Sequence, residues 1–147
     1  MADLRFHHVG IGTRDFEGAI ACYEQLGHTL HLRVDDPILN VRVAFLTGPD
    51  GHGPWFELLA PLGPDGPLHA LLARRALPSP YHTCYAVDDL QASTQRLRGW
   101  RFVPLHPPKP ALAFDNQPVA FFYNSKIGLI ELVERPPSHL AAFPLER

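Results

Sequence analysis

The chain is poor in several things that would point to particular classes of protein. Only two of its 147 residues are cysteine, Cys22 in a segment that reads as a helix and Cys84 in one that reads as a strand. Neither a disulfide framework nor a thiolate metal site is expected from such a pair. Charged residues make up 19% and the net charge is −2, so there is no basic footprint of the kind nucleic acid requires. No apolar run approaches the roughly 18 residues of a membrane span. The opening MADLRFHHVG lacks the apolar core of a signal peptide. The expectation is a soluble, cytoplasmic protein with no nucleic-acid or membrane partner.

What the chain does contain suits a globular unit. Apolar residues reach 46%, enough for a real core within one domain spanning 1–147. Of its 16 prolines, 13 cluster in 61–80, 104–118 and 136–144, which makes the connections rigid rather than loose.

A duplication organises the rest. His8 to Glu57 and His82 to Glu131 are both 49 apart (57 − 8 and 131 − 82). Each histidine lies on a short apolar run, FHHVGIGT or YHTCYAV, followed by an acidic helix start. Each glutamate is embedded in a strand-like segment, WFELLAP or LIELVER. In the first copy the patterning predicts strands at 4–12, 29–34, 41–47 and 54–60, with a helix over 16–26 between Asp15 as N-cap and Gly27 as terminator. The second copy predicts strands at 81–87, 101–105, 117–123 and 128–134, with a helix over 89–98. The fold class is therefore α+β: two tandem βαβββ modules, 4–60 and 80–135, forming a curved, barrel-like mixed sheet with helices outside. The connector 61–79 carries HALLARRAL, which reads as a short amphipathic helix, and 136–147 is a C-terminal tail.

Strand side chains alternate between faces, so Trp55, Glu57 and Leu59 look one way, as do Leu129, Glu131 and Val133. Carboxylates among such apolar neighbours are costly unless paired or bound to a cation. No lysine or arginine recurs at matched positions in both copies. One divalent ion would satisfy both glutamates, with neutral imidazoles completing a set of His8, Glu57, His82 and Glu131. Two oxygens and two nitrogens suit Co, Ni, Mn, Zn or Fe(II) without choosing among them. The alternation puts His7 on the opposite strand face, in a solvent or packing role, and turns Glu134 away. His28, His31, His52, His69, His106 and His139 fall outside the repeat and read as surface residues. Val43, Phe45, Trp55, Cys84, Val119, Phe121 and Tyr123 have the alternation to face the trough, an apolar lining suited to a small organic substrate.

The blocks HHVGI (7–11), VRVAFL (41–46), FELLAPLGPDGP (56–67), YHTCYAVDDL (81–90), VAFF (119–122) and GLIELVE (128–134) resemble the vicinal oxygen chelate superfamily. That group includes glyoxalase I, methylmalonyl-CoA epimerase, extradiol dioxygenases and bleomycin-resistance proteins, and the likeness covers about 5–135. Within it the chain looks most like the epimerase branch. The resemblance implies metal ligation by His8, Glu57, His82 and Glu131, and an enolate formed beside a carbonyl. Some epimerases carry an extra glutamate as a base where this chain has Val43, so Glu57 and Glu131 become the proton carriers, one on either face of the enolate. The other readings are glyoxalase I-type chemistry on a hemithioacetal, a binding or resistance protein without chemistry, and, less favoured, extradiol oxygenation. The superfamily's open sheet edges, together with the apolar tail, imply a homodimer.

Overall fold

A computed structural model describes residues 3–51, 53–64, 70, 73, 74 and 78–142. The predicted helix HALLARRAL, 69–77, lies mostly outside them, with only 70, 73 and 74 described. The elements run β1 (Arg5–Gly12), α1 (Phe16–Gln25), β2 (Thr29–Asp36), β3 (Val41–Thr47), β4 (Trp55–Pro61), β5 (Ser79–Val87), α2 (Leu90–Gly99), β6 (Val103–Pro104), β7 (Lys109–Ala111), β8 (Gln117–Asn124) and β9 (Gly128–Glu134). All nine strands join one sheet in the order β2-β3-β4-β1-β5-β9-β8-β6, with β7 also on β8. The order mirrors itself about the antiparallel pair β1/β5. On either side of that pair comes a parallel neighbour, β4 or β9, then an antiparallel one, β3 or β8. The expected curved mixed sheet with outer helices is what forms. Among the described residues no helix is long and apolar enough to cross a membrane.

Period-two patterning explains why the sheet has a helix-covered face and a site-bearing face. On β3, Ala44 and Leu46 pack with Phe16 and Ile20 of α1, whereas Val41, Val43 and Phe45 enter a separate core on the other face. On β8 and β9, Ala120, Phe122, Ile130 and Leu132 pack with Leu90 and Leu97 of α2, whereas Val119 and Val133 join Val43 and Phe45. Strands apolar on both faces are therefore buried on both. Each helix begins at an aspartate whose carboxylate accepts a backbone N–H: Asp15 from Gly18 at 2.9 Å and Asp89 from Ala92 at 3.0 Å. Glu134, turned away from the trough as expected, accepts from the Leu90 N–H at 2.8 Å. Cys22 is exposed and Cys84 buried, and both are free.

Two departures matter for the site. The β1/β5 ladder pairs Phe6 with Tyr85 and His8 with Cys84, leaving His7 as an extra residue; it slips again between Gly10–His82 and Ile11–Pro80, leaving Tyr81 extra. These β-bulges lie immediately before each repeat histidine. The Pro-rich run read as loop contains β7, which pairs Lys109 with Val119 and Pro110 with Pro118.

The two halves are also tied at the trough's lip. Asp36 is 2% exposed; its Oδ1 accepts from the N–H groups of Ile38 and Leu39, and its Oδ2 accepts from Leu112, at 2.9–3.0 Å. Asp36→Ala is expected to lower stability by about 3 kcal/mol, since three backbone donors lose a charged acceptor. A urea midpoint unchanged from wild type would refute this.

Candidate metal centre

The ladder brings the repeat residues together. Gly10 sits in register with His82 across β1/β5 and with Glu57 across β1/β4; Cys84 sits in register with His8 and with Glu131. Both histidines therefore come from the central strand pair. The glutamates come from the strands that flank it.

His8 Nε2 lies 3.0 Å from His82 Nε2 and 3.3 Å from Oε1 of both Glu57 and Glu131. His82 Nε2 lies 3.4 Å from Glu57 Oε1 and 3.7 Å from Glu131 Oε1. The ligand atoms of all four residues fall within 4.8 Å of one another. None of the four residues is more than 4% exposed. Oε1 of Glu57 and of Glu131 are buried without hydrogen-bond partners among the described residues. Buried carboxylate oxygens left bare normally mark a missing partner. Donors about 2.1 Å from one cation and 90–110° apart stand about 3.0–3.4 Å from each other, close to the spacing here. The four residues fit a divalent ion.

Above them opens a cavity of about 360 Å3. Glu57 and Glu131 line it together with Val41, Val43, Leu59, Tyr81, Phe114, Phe121 and Leu129, while Asp36, Asn40, His106 and Lys109 supply polar positions. Asp36 is the third acid of the wall, but both of its oxygens are already engaged by backbone amides.

A conserved-family model described as the Glyoxalase/Bleomycin resistance protein/Dioxygenase superfamily matches residues 7–121. The chain belongs to that superfamily. Among curated superfamily relatives, an ethylmalonyl-CoA/methylmalonyl-CoA epimerase of Cereibacter sphaeroides is 32% identical over 131 residues, covering 87% of this chain and 96% of the relative. The mitochondrial methylmalonyl-CoA epimerase of Homo sapiens is 30% identical, covering 87% and 72%. Among solved superfamily structures, methylmalonyl-CoA epimerase from Mycobacterium tuberculosis superposes with a TM-score of 0.78 at 28% identity, covering 90% of this chain and 89% of that one.

Within this superfamily fold the electrostatics of the metal-free site are set by crowding. Burial opposes charge on His8, but the attraction of Glu57 and Glu131 outweighs it and pushes His8 up to about 9. Burial likewise opposes charge on Glu131, yet the imidazoles of His8 and His82 beside it hold it well below the usual carboxylate range. His7 goes the other way: burial, then the nearby His8, push it down to about 3. Burial, with Glu131 beside it, raises the Cys84 thiol far above its ordinary value, so it is no nucleophile.

These shifts predict how metal-free stability depends on pH. Folded His8 keeps its proton to about pH 9 but unfolded only to 6.5, so its contribution is full below 6.5 and lost as pH rises through 9. Folded His7 refuses a proton that the unfolded chain takes up below 6.5, so stability is also lost as pH falls from 6.5 toward 3. Calorimetry of chelator-treated protein should show a melting maximum near pH 6.5. A steady rise from pH 5 to 9 would contradict the His8 assignment, and a steady fall over that range the His7 assignment.

Of the residues expected to face the trough, Val43 and Phe121 line the cavity. Phe45, Trp55, Cys84 and Val119 are on the same face but lie in the packed core beneath it. Tyr123 is exposed at 47%. His7 is not on the opposite face: the bulge turns it inward, fully buried between Phe45 and Phe114. His106, read as a surface residue, is half-buried at the cavity wall with its ring 5.9 Å from that of Phe121. Its neighbour Lys109 was equally hidden in the proline run. The one signal that could have found either is the pairing of that run with β8.

Proposed function

We propose that this chain is a metal-dependent epimerase, acting on the α-carbon of a small acyl thioester through an enolate. The observation that carries the reading is the placement of the two carboxylates. Glu57 on β4 and Glu131 on β9 reach the cavity floor from opposite flanks of the β1/β5 pair. Inversion needs a proton removed from one face of a planar carbon and returned to the other, and two groups so disposed can serve both faces. Val43 lines the cavity where some epimerases have a base, and Asp36 is held by three backbone amides. The proton therefore falls to Glu57 and Glu131.

His8, Glu57, His82 and Glu131 would hold the ion, whether Co, Ni, Mn, Zn or Fe(II), and as a Lewis acid it stabilises the charge that builds on the enolate oxygen. The chain's own contribution is to fix the donors on rigid strands and to keep the reacting carbon dry. Apolar wall residues, Val41, Leu59 and Phe114 among them, exclude water from it. The epimerases of Cereibacter sphaeroides and Homo sapiens support ethylmalonyl- or methylmalonyl-CoA as the substrate.

Deuterium incorporation at the α-carbon of methylmalonyl-CoA tests the reading. Metal-loaded protein is expected to exchange that hydrogen, and Glu131→Gln to lose at least about 10^3-fold of the rate. Absence of exchange with every acyl-CoA offered would reject the thioester substrate. Substantial turnover of methylglyoxal with glutathione would instead favour glyoxalase-type chemistry, which uses the same pair of histidines and pair of glutamates.

A further inference from the structure

The two histidines of the centre are held in different ways. His82 Nδ1 is buried with no hydrogen-bond partner among the described residues, and its ring is fixed by packing against Gly10, Tyr81 and Phe121. His8 Nδ1 has a partner: it lies 2.8 Å from His7 Nδ1. His7 Nε2 in turn lies 2.6 Å from the carbonyl oxygen of Leu140, in a short 3-10 turn, Ser138–Leu140. All three residues are fully buried.

The carbonyl settles where the hydrogens sit. A carbonyl oxygen only accepts, so His7 Nε2 must carry a hydrogen and donate it to Leu140. His7 is enclosed by the rings of Phe45, Phe114 and His8, where a charged imidazole would be costly, so the neutral ring leaves its Nδ1 bare. The 2.8 Å contact then requires His8 Nδ1 to be the donor. With its hydrogen fixed on Nδ1, His8 has Nε2 as the nitrogen whose lone pair an ion can take, releasing any proton held there.

We infer that His7 is a positioning residue, which fixes the ring angle and tautomer of His8 and ties the metal centre to the C-terminal turn through Leu140. The inference rests on the metal-centre reading but not on the epimerase activity. Metal-ligating histidines are generally oriented through their second nitrogen in this way. Here the orienting group is another imidazole, and only the bulge at residue 7 brings it to the same face as its sequence neighbour.

Three substitutions separate the two ends of the chain of bonds. His7→Asn keeps an acceptor near the Nδ1 position but loses the link to Leu140. His7→Gln keeps a donor near Nε2 but loses the acceptor for His8. His7→Phe keeps the bulk and the ring contacts and loses both. With Zn2+ as probe and chelator competition as readout, His7→Phe and His7→Gln are expected to weaken binding about 10- to 100-fold. His7→Asn is expected to stay within a few-fold of wild type. A purely packing role predicts the reverse order, with His7→Phe the mildest. If variants fail to fold, nitrogen-15 spectra of the wild type still decide: His7 should carry its hydrogen on Nε2 alone, and Zn2+-bound His8 on Nδ1. Finding His7 protonated on Nδ1, or His7→Phe binding Zn2+ like wild type, would overturn the inference while leaving the metal centre standing. Failure of the wild type to bind Zn2+ would sink the centre itself, and the inference with it.

Discussion

Gly10→Ala is expected to weaken divalent-metal binding by about 100-fold or more and to destabilise the metal-free protein by about 2 kcal/mol. A Cβ built at Gly10 lands on the imidazole ring of His82, which crosses from the neighbouring strand at that register. Gly10 does not have a positive φ, so glycine is required here by space and not by backbone conformation. The clash is with a ring held between Tyr81 and Phe121, so it cannot be relieved by a small rotation. Either His82 leaves the centre or the β1/β5 pair separates. A double-mutant cycle distinguishes this from general damage to β1. In a His82→Ala background the methyl group finds room, so Gly10→Ala should then cost little. Equal cost in both backgrounds would show that His82 is not what demands the glycine. The matched position in the second half is Cys84, in register with His8 as Gly10 is with His82. The duplication is therefore not symmetrical in its fine packing, because only the first half leaves an empty path for its partner's imidazole.

How far such details could be read without coordinates depended on whether alternation held. On β3, β4, β8 and β9 it held throughout, and it separated Val43, Phe45, Glu57, Val119 and Glu131 from the helix-covered residues Leu46, Leu58, Ala120 and Leu132. The repeat spacing then brought two histidines and two glutamates into one cluster. On β1 alternation failed at one residue. FHHVGIGT carries no glycine or proline at the slip, so nothing marks His7 as extra, and the bulge sends it inward beside His8. The cavity's second wall was hidden for another reason. Phe114 reaches it from a 3-10 turn, Leu112–Phe114, that ends in left-handed Asp115 and Asn116, and no strand periodicity extends there. The tail, expected to cover a neighbouring copy, instead returns to its own chain as far as it is described. Leu140 is fully buried against His7, and Trp55 Nε1–H donates to the Ala141 carbonyl at 2.9 Å. Whether a tail packs at home or abroad depends on a tertiary partner, and here that partner is the residue the bulge displaced.

Metal removal should have a comparably large effect, and the charge of the site says why. Without an ion, two glutamates crowd against two imidazoles in a cluster nearly excluded from solvent, with His8 held protonated beside them. A divalent ion with both imidazoles neutral balances the two carboxylates, and burial then favours the loaded state. At a thousand times its dissociation constant, a ligand of the folded state alone adds about 4 kcal/mol, which for a chain of this length is about 10–15 °C in melting temperature. Chelation is expected to reverse that shift, and readdition of metal to restore it. Glu131→Gln should abolish most of the metal-dependent gain, because the variant offers the ion a neutral amide in place of a charged ligand. The alternative is that the cluster is a structural ion-pair network built for stability. Such a network predicts no shift with metal in either protein, the whole cost of Glu131→Gln appearing with chelator and metal alike. Melting curves of the two proteins, each with metal and with chelator, separate a cation site from a salt bridge.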